Sequence, residues 1–375
     1  MTRIRIALTG GGSGGHIYPL IAVVEELQFL AVTLGMELDI RYFGDPGEYK
    51  ELFAANGIRI TRVASSKLRR YFSIMNVLDA FKFFIGIIQA WWKIFFFMPN
   101  VIFSKGGPGA LPVILAGRFY RVMVVIHESD SIPGRTNSIS AKFAARIAVS
   151  FSSAAKYFQE RGFQNTALTG NPVRPSIFKN IPSQNYAKDS LGFDSSLSLI
   201  LVLGGSRGAL HLNNFVVDNM QTFTAKYQVL HQTGIKHYSR VLEQTKSMAG
   251  PRYKAVAYFD DIKTVLSAAD LVVSRAGAGS IFEIAAFGKP AILVPLPEDV
   301  VGGHQIRNAY DFANSGAAIV IEEENLLNSI FIAQVNKILD DPAKKTEMSE
   351  ASKQFFKPNA GRVIAEEILK LAGRD

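Results

Sequence analysis

The sequence predicts an α/β protein of two Rossmann-like domains whose parallel sheets face each other across a cleft. Runs rich in Ile, Val and Leu alternate with helical patterns along the 375 residues, as expected of parallel sheets covered by helices. The first strand of each half ends in a similar glycine loop. One reads Leu8-Thr9-Gly10-Gly11-Gly12-Ser13-Gly14, the other Leu203-Gly204-Gly205-Ser206-Arg207-Gly208. Between the halves, Asn171-Pro172-Val173-Arg174-Pro175 has turn chemistry and two prolines, which mark a domain boundary.

Strands of the first sheet are expected at Ile4–Thr9, Leu38–Phe43, Val101–Ser104, Val122–His127 and Arg146–Val149. Those of the second are expected at Leu199–Leu203, Gln228–Gln232, Tyr253–Val256, Leu271–Ser274, Ala291–Val294 and Ala318–Ile321. The division is therefore 1–171 and 172–357, with a final helix at about 358–375 packing back on the first domain. Open α/β sheets bind ligands outside the carboxyl ends of their strands, where both glycine loops fall.

With 48% hydrophobic residues the chain is long enough for two ordinary cores. The absence of cysteine excludes disulfides and thiolate metal sites. Two arginines and a short apolar run before the first glycines do not read as a signal peptide, so Met1 is expected to begin the mature chain.

The net charge of +9 is concentrated in the first half, where 19 Lys and Arg face 11 Asp and Glu; residues 172–375 hold 22 and 21. No nucleic-acid motif accompanies this charge. The same half holds the most hydrophobic segment, Ile74 to Met98. It contains Trp91, Trp92, Phe81, Phe83, Phe84, Phe95, Phe96 and Phe97, interrupted by Lys82, Gln89 and Lys93.

A spanning helix needs about 20 mostly apolar residues, so the lysines weigh against one here. A buried core helix is one alternative. The favoured expectation is a helix that packs inward on one side and offers Phe, Trp and Lys to an anionic membrane surface on the other. Arg62, Lys67, Arg69 and Arg70 lie just upstream.

Gly10, Gly12 and Gly15 satisfy G-x-G-x-x-G, but a dinucleotide site also calls for an acidic residue about 20 residues later. The next strand ends Arg41-Tyr42-Phe43-Gly44-Asp45, so another kind of phosphate cradle is expected. Glycines let main-chain N–H groups and a helix N-terminus approach an anion. A histidine at that helix start, His16, is held toward its neutral, proton-accepting form.

Four motifs occur in order: Gly11-Gly12-Ser13-Gly14-Gly15-His16, Gly170-Asn171-Pro172-Val173-Arg174, Gly204-Gly205-Ser206-Arg207-Gly208-Ala209 and His304-Gln305-Ile306-Arg307-Asn308-Ala309. In these the chain resembles, over essentially its whole length, the MurG family of lipid-intermediate N-acetylglucosaminyltransferases. The resemblance implies a GT-B fold and inverting transfer without a metal or cofactor. N-acetylglucosamine would pass from UDP-N-acetylglucosamine to the 4-hydroxyl of N-acetylmuramyl-peptide on undecaprenyl diphosphate, in a β-1,4 bond. It further implies peripheral attachment to the cytoplasmic face of the plasma membrane and partners in cell-wall synthesis and division.

Carried over by position, the first domain binds acceptor and the second binds the UDP-sugar. Ser206 and Arg174 would meet the diphosphate as UDP leaves. Ala278, Gly279, Ser280, Ile281, Phe282 and Glu283 form the nucleotide stretch, with Glu283 on the ribose; a first-turn glutamate complementing the helix dipole is the alternative. Phe259 matches the position whose backbone reads uracil, and Asp260 and Asp261 read as a turn and helix cap. His304, Gln305 and Asn308 fall in the sugar-binding stretch, with His304 where the family often has glutamine.

Ser13, Gly14, Gly15 and Asp130 are also assigned to the donor sugar. Gly11, Gly12, Lys105, Gly106 and Gly107 are assigned to the acceptor, with Lys105 toward its lipid diphosphate or, alternatively, solvated beside a turn. His16 is the first candidate base, or else orders its loop or binds acceptor phosphate; Glu128 is the second. His127-Glu128-Ser129-Asp130 departs from the family's His-Glu-Gln-Asn and creates a Glu-x-Asp that mimics a metal motif.

Three other functions remain at this point. A GT-B UDP-N-acetylglucosamine epimerase, a glycosyltransferase acting on another acceptor and a non-catalytic nucleotide-sugar binder could each use the donor loops. The epimerase and a soluble transferase acting on a small acceptor do not require the aromatic and cationic surface; the binder, which would be membrane-associated, would be excluded by UDP release only when a polyprenyl-linked acceptor is present.

Overall fold

The computed structural model describes residues 3–65, 75–204, 209–248 and 250–373. It contains two compact units, residues 1–175 with 358–375, and residues 176–357.

The first unit holds a seven-stranded parallel sheet. Its strands are β1 (Arg3–Thr9), β2 (Glu37–Phe43), β3 (Arg59–Thr61), β4 (Val101–Ser104), β5 (Met123–Glu128), β6 (Arg146–Val149) and β7 (Thr166–Leu168), in the order β3-β2-β1-β4-β5-β6-β7. The central strands are apolar throughout because helices cover both faces; every residue of β4 is buried. The two outer strands, Arg59-Ile60-Thr61 and Thr166-Ala167-Leu168, were not expected from sequence. Each is a three-residue, incompletely buried edge, defined by pairing with its neighbour rather than by an apolar run.

The β1–β3 edge is pinned by Asp39, whose carboxylate meets Arg3 at 3.0 Å, Arg41 at 3.2 Å and Arg59 at 2.6 Å. Burial would raise its pKa, but hydrogen bonds from Arg41 and Arg59 outweigh this and hold it below the usual carboxylate range.

Helix Gly14–Leu34 fills one face of this sheet with ten buried residues, among them Ile17, Leu20, Val24 and Leu27. Among the described residues it is the one helix long and apolar enough to cross a membrane, yet its apolar side chains form the domain core. The C-terminal helix Ala360–Ala372 joins the same core through Ile364, Ile368, Leu369 and Leu371. Arg146–Glu367 at 2.7 Å and Arg362–Glu26 at 3.3 Å flank this packing.

Helix Met75–Phe97 covers the other face. Ala90, Ile94 and Phe97 recur at helical spacing and are buried. Its polar residues serve the neighbouring backbone: Gln89 accepts from the Ala64 N–H at 2.9 Å, and Lys93 donates to the Arg62 carbonyl. Lys93 is therefore engaged within the fold rather than simply presented outward, while Lys82 is exposed.

The opposite face leaves Phe81, Phe84, Trp92 and Phe96 more than half exposed, the last at 76%. Phe119 and Tyr120, from the end of helix Ala110–Phe119, extend this ridge through ring contacts with Trp91 and Phe95 at 5.5–6.2 Å. Of the upstream basic residues, Lys67, Arg69 and Arg70 lie outside the described residues.

The second unit repeats the plan with β8 (Leu199–Leu203), β9 (Gln228–Gln232), β10 (Tyr253–Val256), β11 (Leu271–Ser274), β12 (Ala291–Leu293) and β13 (Ala318–Val320), in the order β10-β9-β8-β11-β12-β13. Both sheets thus have the doubly wound order, with the strand order reversing between the parallel neighbours β1 and β4 and between β8 and β11. In such sheets the ligand crevice opens at the reversal. Thr9 pairs with Ser104 and Leu203 with Ser274, so each crevice is flanked by two loops that start level.

Candidate functional site

In the first unit, the loops after β1, β4 and β5 meet at the sheet reversal. Ser13 is the N-cap of helix Gly14–Leu34, but its side chain does not cap the helix amides. Its hydroxyl instead lies 2.8 Å from His16 Nδ1. The imidazole also lies against two glycines: a Cβ on Gly11 would stand 3.1 Å from Nδ1, and one on Gly107 3.7 Å from Nε2. Gly106 and Gly107 have φ of +74° and +86°, and a Cβ on Gly107 would come within 2.7 Å of Gly11 Cα. The two loops therefore touch main chain to main chain, which requires glycine.

Desolvation, then the charge of Lys105, lowers the His16 pKa to about 4, against a smaller upward influence from Asp130. The ring is neutral at pH 7. With its proton on Nδ1 and Ser13 Oγ accepting, Nε2 presents a lone pair.

Lys105 is 1% exposed, so it is not a solvated lysine beside a turn. Its ammonium donates to His127 Nδ1, to Ser129 Oγ at 2.5 Å and to Asn171 Oδ1 at 3.4 Å. These three acceptors match the three protons of an ammonium, leaving none directed at an acceptor diphosphate. His127 Nε2 donates to the Gly170 carbonyl at 3.0 Å, so one neutral tautomer satisfies both ring nitrogens. Burial and the neighbouring lysine hold that histidine well below its ordinary pKa.

Glu128 ends β5 and is also buried. Its carboxylate accepts from Asp130 N at 3.0 Å, Gly134 N at 2.9 Å and Asn137 Nδ2 at 2.9 Å. Burial first, then the charge of Asp130, raises its pKa to about 7 despite these bonds. In this geometry Glu128 organises the turn that carries Ser129 and Asp130. The Glu-x-Asp sequence accordingly does not present two open carboxylates. Asn137, which also donates to the His127 carbonyl at 3.2 Å, gave no local sequence signal. Arg174 sits 4.9 Å over the ring of Tyr18, on the helix that carries His16.

In the second unit Gly204 follows β8; Gly205, Ser206, Arg207 and Gly208 lie outside the described residues. After β11, Gly277 is the N-cap of helix Ala278–Ala286 and offers no side chain to the first amides, those of Ala278, Gly279 and Ser280. A helix start of this kind suits an anion. Ile281 and Phe282 are buried, so their side chains belong to the interior. Glu283 stands in the second turn, beyond the first turn where a carboxylate complements the dipole best.

The surrounding loops are tied to this helix start. Arg275, 7% exposed, donates to the Val294 carbonyl at 3.1 Å and pairs with Glu323. Asn308 donates to the Ala276 carbonyl at 3.2 Å, and Gln305 Oε1 accepts from Leu296 N at 3.1 Å. Among the described residues the Gln305 amide NH2 has no protein partner, while His304 opens the helix His304–Ala313. Phe259 is half-buried after β10. Asp261 caps the following helix, accepting from Thr264 N at 3.4 Å.

Comparison with known proteins agrees with this architecture. Residues 6–149 match the glycosyltransferase family 28 N-terminal domain and residues 199–364 its C-terminal domain. The UDP-N-acetylglucosamine–N-acetylmuramyl-(pentapeptide) pyrophosphoryl-undecaprenol N-acetylglucosamine transferase of Clostridium botulinum is 35% identical over 99% of both chains. That of Clostridium tetani is 35% identical over 91% of both, and that of Legionella pneumophila is 34% identical over 93% of this chain and 92% of its own.

The crystal structure of Acinetobacter baumannii MurG aligns over 98% of this chain and 99% of its own, with TM-score 0.74 at 23% identity. A Neisseria meningitidis UDP-GlcNAc 2-epimerase aligns over 98% of this chain and all of its own, with TM-score 0.69 at 11% identity. Both establish the GT-B fold, which transferases and epimerases share. The sequence relatives decide between them: the chain is a hexosyltransferase and belongs to the MurG family of N-acetylglucosaminyltransferases.

Proposed function

We propose that the protein transfers N-acetylglucosamine from UDP-N-acetylglucosamine to the 4-hydroxyl of N-acetylmuramyl-peptide on undecaprenyl diphosphate, with inversion. The observation that carries this is the 34–35% identity, over nearly the whole chain, to transferases named for that reaction. His16 Nε2 takes the acceptor's hydroxyl proton as that oxygen bonds to the anomeric carbon and the bond to the diphosphate breaks. UDP leaves with the electron pair, stabilised by the amides of Ala278, Gly279 and Ser280, by Ser206 and by Arg174. Glu283 accepts from the ribose hydroxyls, and Gln305 donates to the sugar.

The main chain of Gly11, Gly12, Gly106 and Gly107 offers an anion cradle for the acceptor diphosphate. Glu128 braces the turn that presents Asp130. The reaction so drawn involves no metal or cofactor. The exposed aromatic ridge, with Lys82, Arg118 and Arg121 also exposed, supports docking on the anionic cytoplasmic face of the plasma membrane.

The test is incubation with labelled UDP-N-acetylglucosamine and a short-chain muramyl-peptide diphosphate lipid. Label is expected in the lipid product only when this acceptor is present. Absence of such product from folded protein contradicts the proposal.

A further inference from the structure

The most heavily buried charge in the first unit belongs to a residue that the chemistry above does not use. Lys105 follows β4, and its stem lies along the first glycine loop: a Cβ on Gly10 would stand 3.3 Å from Lys105 Cβ, and Lys105 N donates to the Thr9 carbonyl at 3.0 Å. Its ammonium reaches His127, Ser129 and Asn171, and Ser129 Oγ in turn donates to Asn171 Oδ1 at 3.1 Å. One side chain thus joins the loop after β1, the turn after β5 and the segment at Gly170–Asn171.

We propose that Lys105 is a positioning residue for the transfer: its caged ammonium fixes the Ser129–Asp130 turn and adds a positive charge to the burial that disfavours the His16 imidazolium, so that the ring stays unprotonated to lower pH. This rests on the reading of His16 as proton acceptor.

The charges acting on His16 have opposite effects. Lys105, from the β4 loop, disfavours the imidazolium, whereas Asp130, from the β5 turn, favours it. Glu128 and Asp130 both favour the charged form of Lys105, whose pKa burial lowers to about 7. Lys105 is therefore protonated throughout the acid range in which His16 titrates. Arg174, over the ring of Tyr18, is a further cation against the helix that carries His16. Losing the lysine charge leaves Asp130 opposed by burial alone, and losing the aspartate charge leaves burial and Lys105 acting together. The two substitutions must move His16 in opposite directions.

The experiment records long-range ¹H–¹⁵N spectra of the His16 ring in the full, ligand-free chain, with pH profiles of kcat/KM beside them. At pH 5 the wild-type ring, with a pKa of about 4, is about one-tenth protonated. In Lys105→Met more than half is expected to be protonated, the acid limb of kcat/KM moves up by at least one pH unit, and acceptor KM changes less than threefold. In Asp130→Asn, at pH 4, the protonated fraction falls from about one-half to a small minority.

An unmoved His16 titration in Lys105→Met overturns the proposal, whatever Asp130→Asn shows. So does a tenfold rise in acceptor KM in Lys105→Met with no movement of His16, which would make the lysine a direct phosphate ligand. If Lys105→Met does not fold, Lys105→Gln, which removes the charge but keeps two amide donors for the cage, is titrated in its place with the same outcomes deciding. Failure of the wild-type protein to make the lipid product would reject the transferase reaction while leaving the ring titration intact as a test.

Discussion

Ser13 and His16 divide the work of one helix start. A serine at an N-cap ordinarily accepts from the helix amides, but here its hydroxyl meets His16 Nδ1; the His16 amide bonds the Ser13 carbonyl at 2.9 Å, and the amides of Gly14 and Gly15 have no side-chain cap. The same contact accommodates the tautomer that proton transfer requires, with the proton on Nδ1, Ser13 Oγ accepting, and the lone pair on Nε2. His16→Ala is expected to lower kcat by about 10²- to 10⁴-fold, the range for a lost general base, with donor KM little changed. Because the His16 pKa is lowered to about 4 rather than raised, its base form persists above that pH. The acid limb of kcat/KM should therefore fall near pH 4 instead of near 6.5; a limb near 6.5 that survives His16→Ala would assign the base elsewhere.

The roles of His16, Arg174 and Gln305 came from motif and resemblance in the sequence. The environment of Lys105 did not, because its acceptors are 22, 24 and 66 residues away along the chain. Only folding brings them around one ammonium.

At the level of elements, the glycine loops are the most legible feature and the edge strands the least. Glycine is conspicuous in sequence where main chain must approach main chain, as at Gly11 and Gly107. A three-residue edge strand buries little and leaves no apolar run, so β3 and β7 are visible only through their hydrogen-bonded partners. Gly107→Ala places a Cβ at φ +86° and 2.7 Å from Gly11 Cα. It is expected to cost about 1–3 kcal/mol of stability, read from the urea midpoint. Turnover should drop more than this loss of folded protein explains, because both loops beside His16 must move. Near-normal turnover would show that the loop contact is not needed.

Across the whole molecule, the same strand order is used twice, and each reversal of strand order receives two glycine-bearing loops. The alternation of apolar runs and helices made this plan readable before any contact was known. The aromatic ridge was only partly readable. Helical spacing separates Ala90, Ile94 and Phe97 from the outward rings, but Phe119 and Tyr120 join the ridge from another helix. Replacing Trp92 and Phe96 together by serine should weaken sedimentation with anionic vesicles by at least about tenfold, given roughly 1.5–3 kcal/mol for burying a large apolar side chain. Activity on a short-chain soluble acceptor should persist; unchanged vesicle binding would remove the ridge from the docking surface.

The central claim is tested most directly by the structure of the product formed from UDP-N-acetylglucosamine and a short-chain muramyl-peptide diphosphate lipid. The account predicts one UDP released per disaccharide and a β-1,4 linkage, seen in the anomeric proton coupling. An epimerised sugar nucleotide, an α-linked product, or UDP release without disaccharide would contradict it.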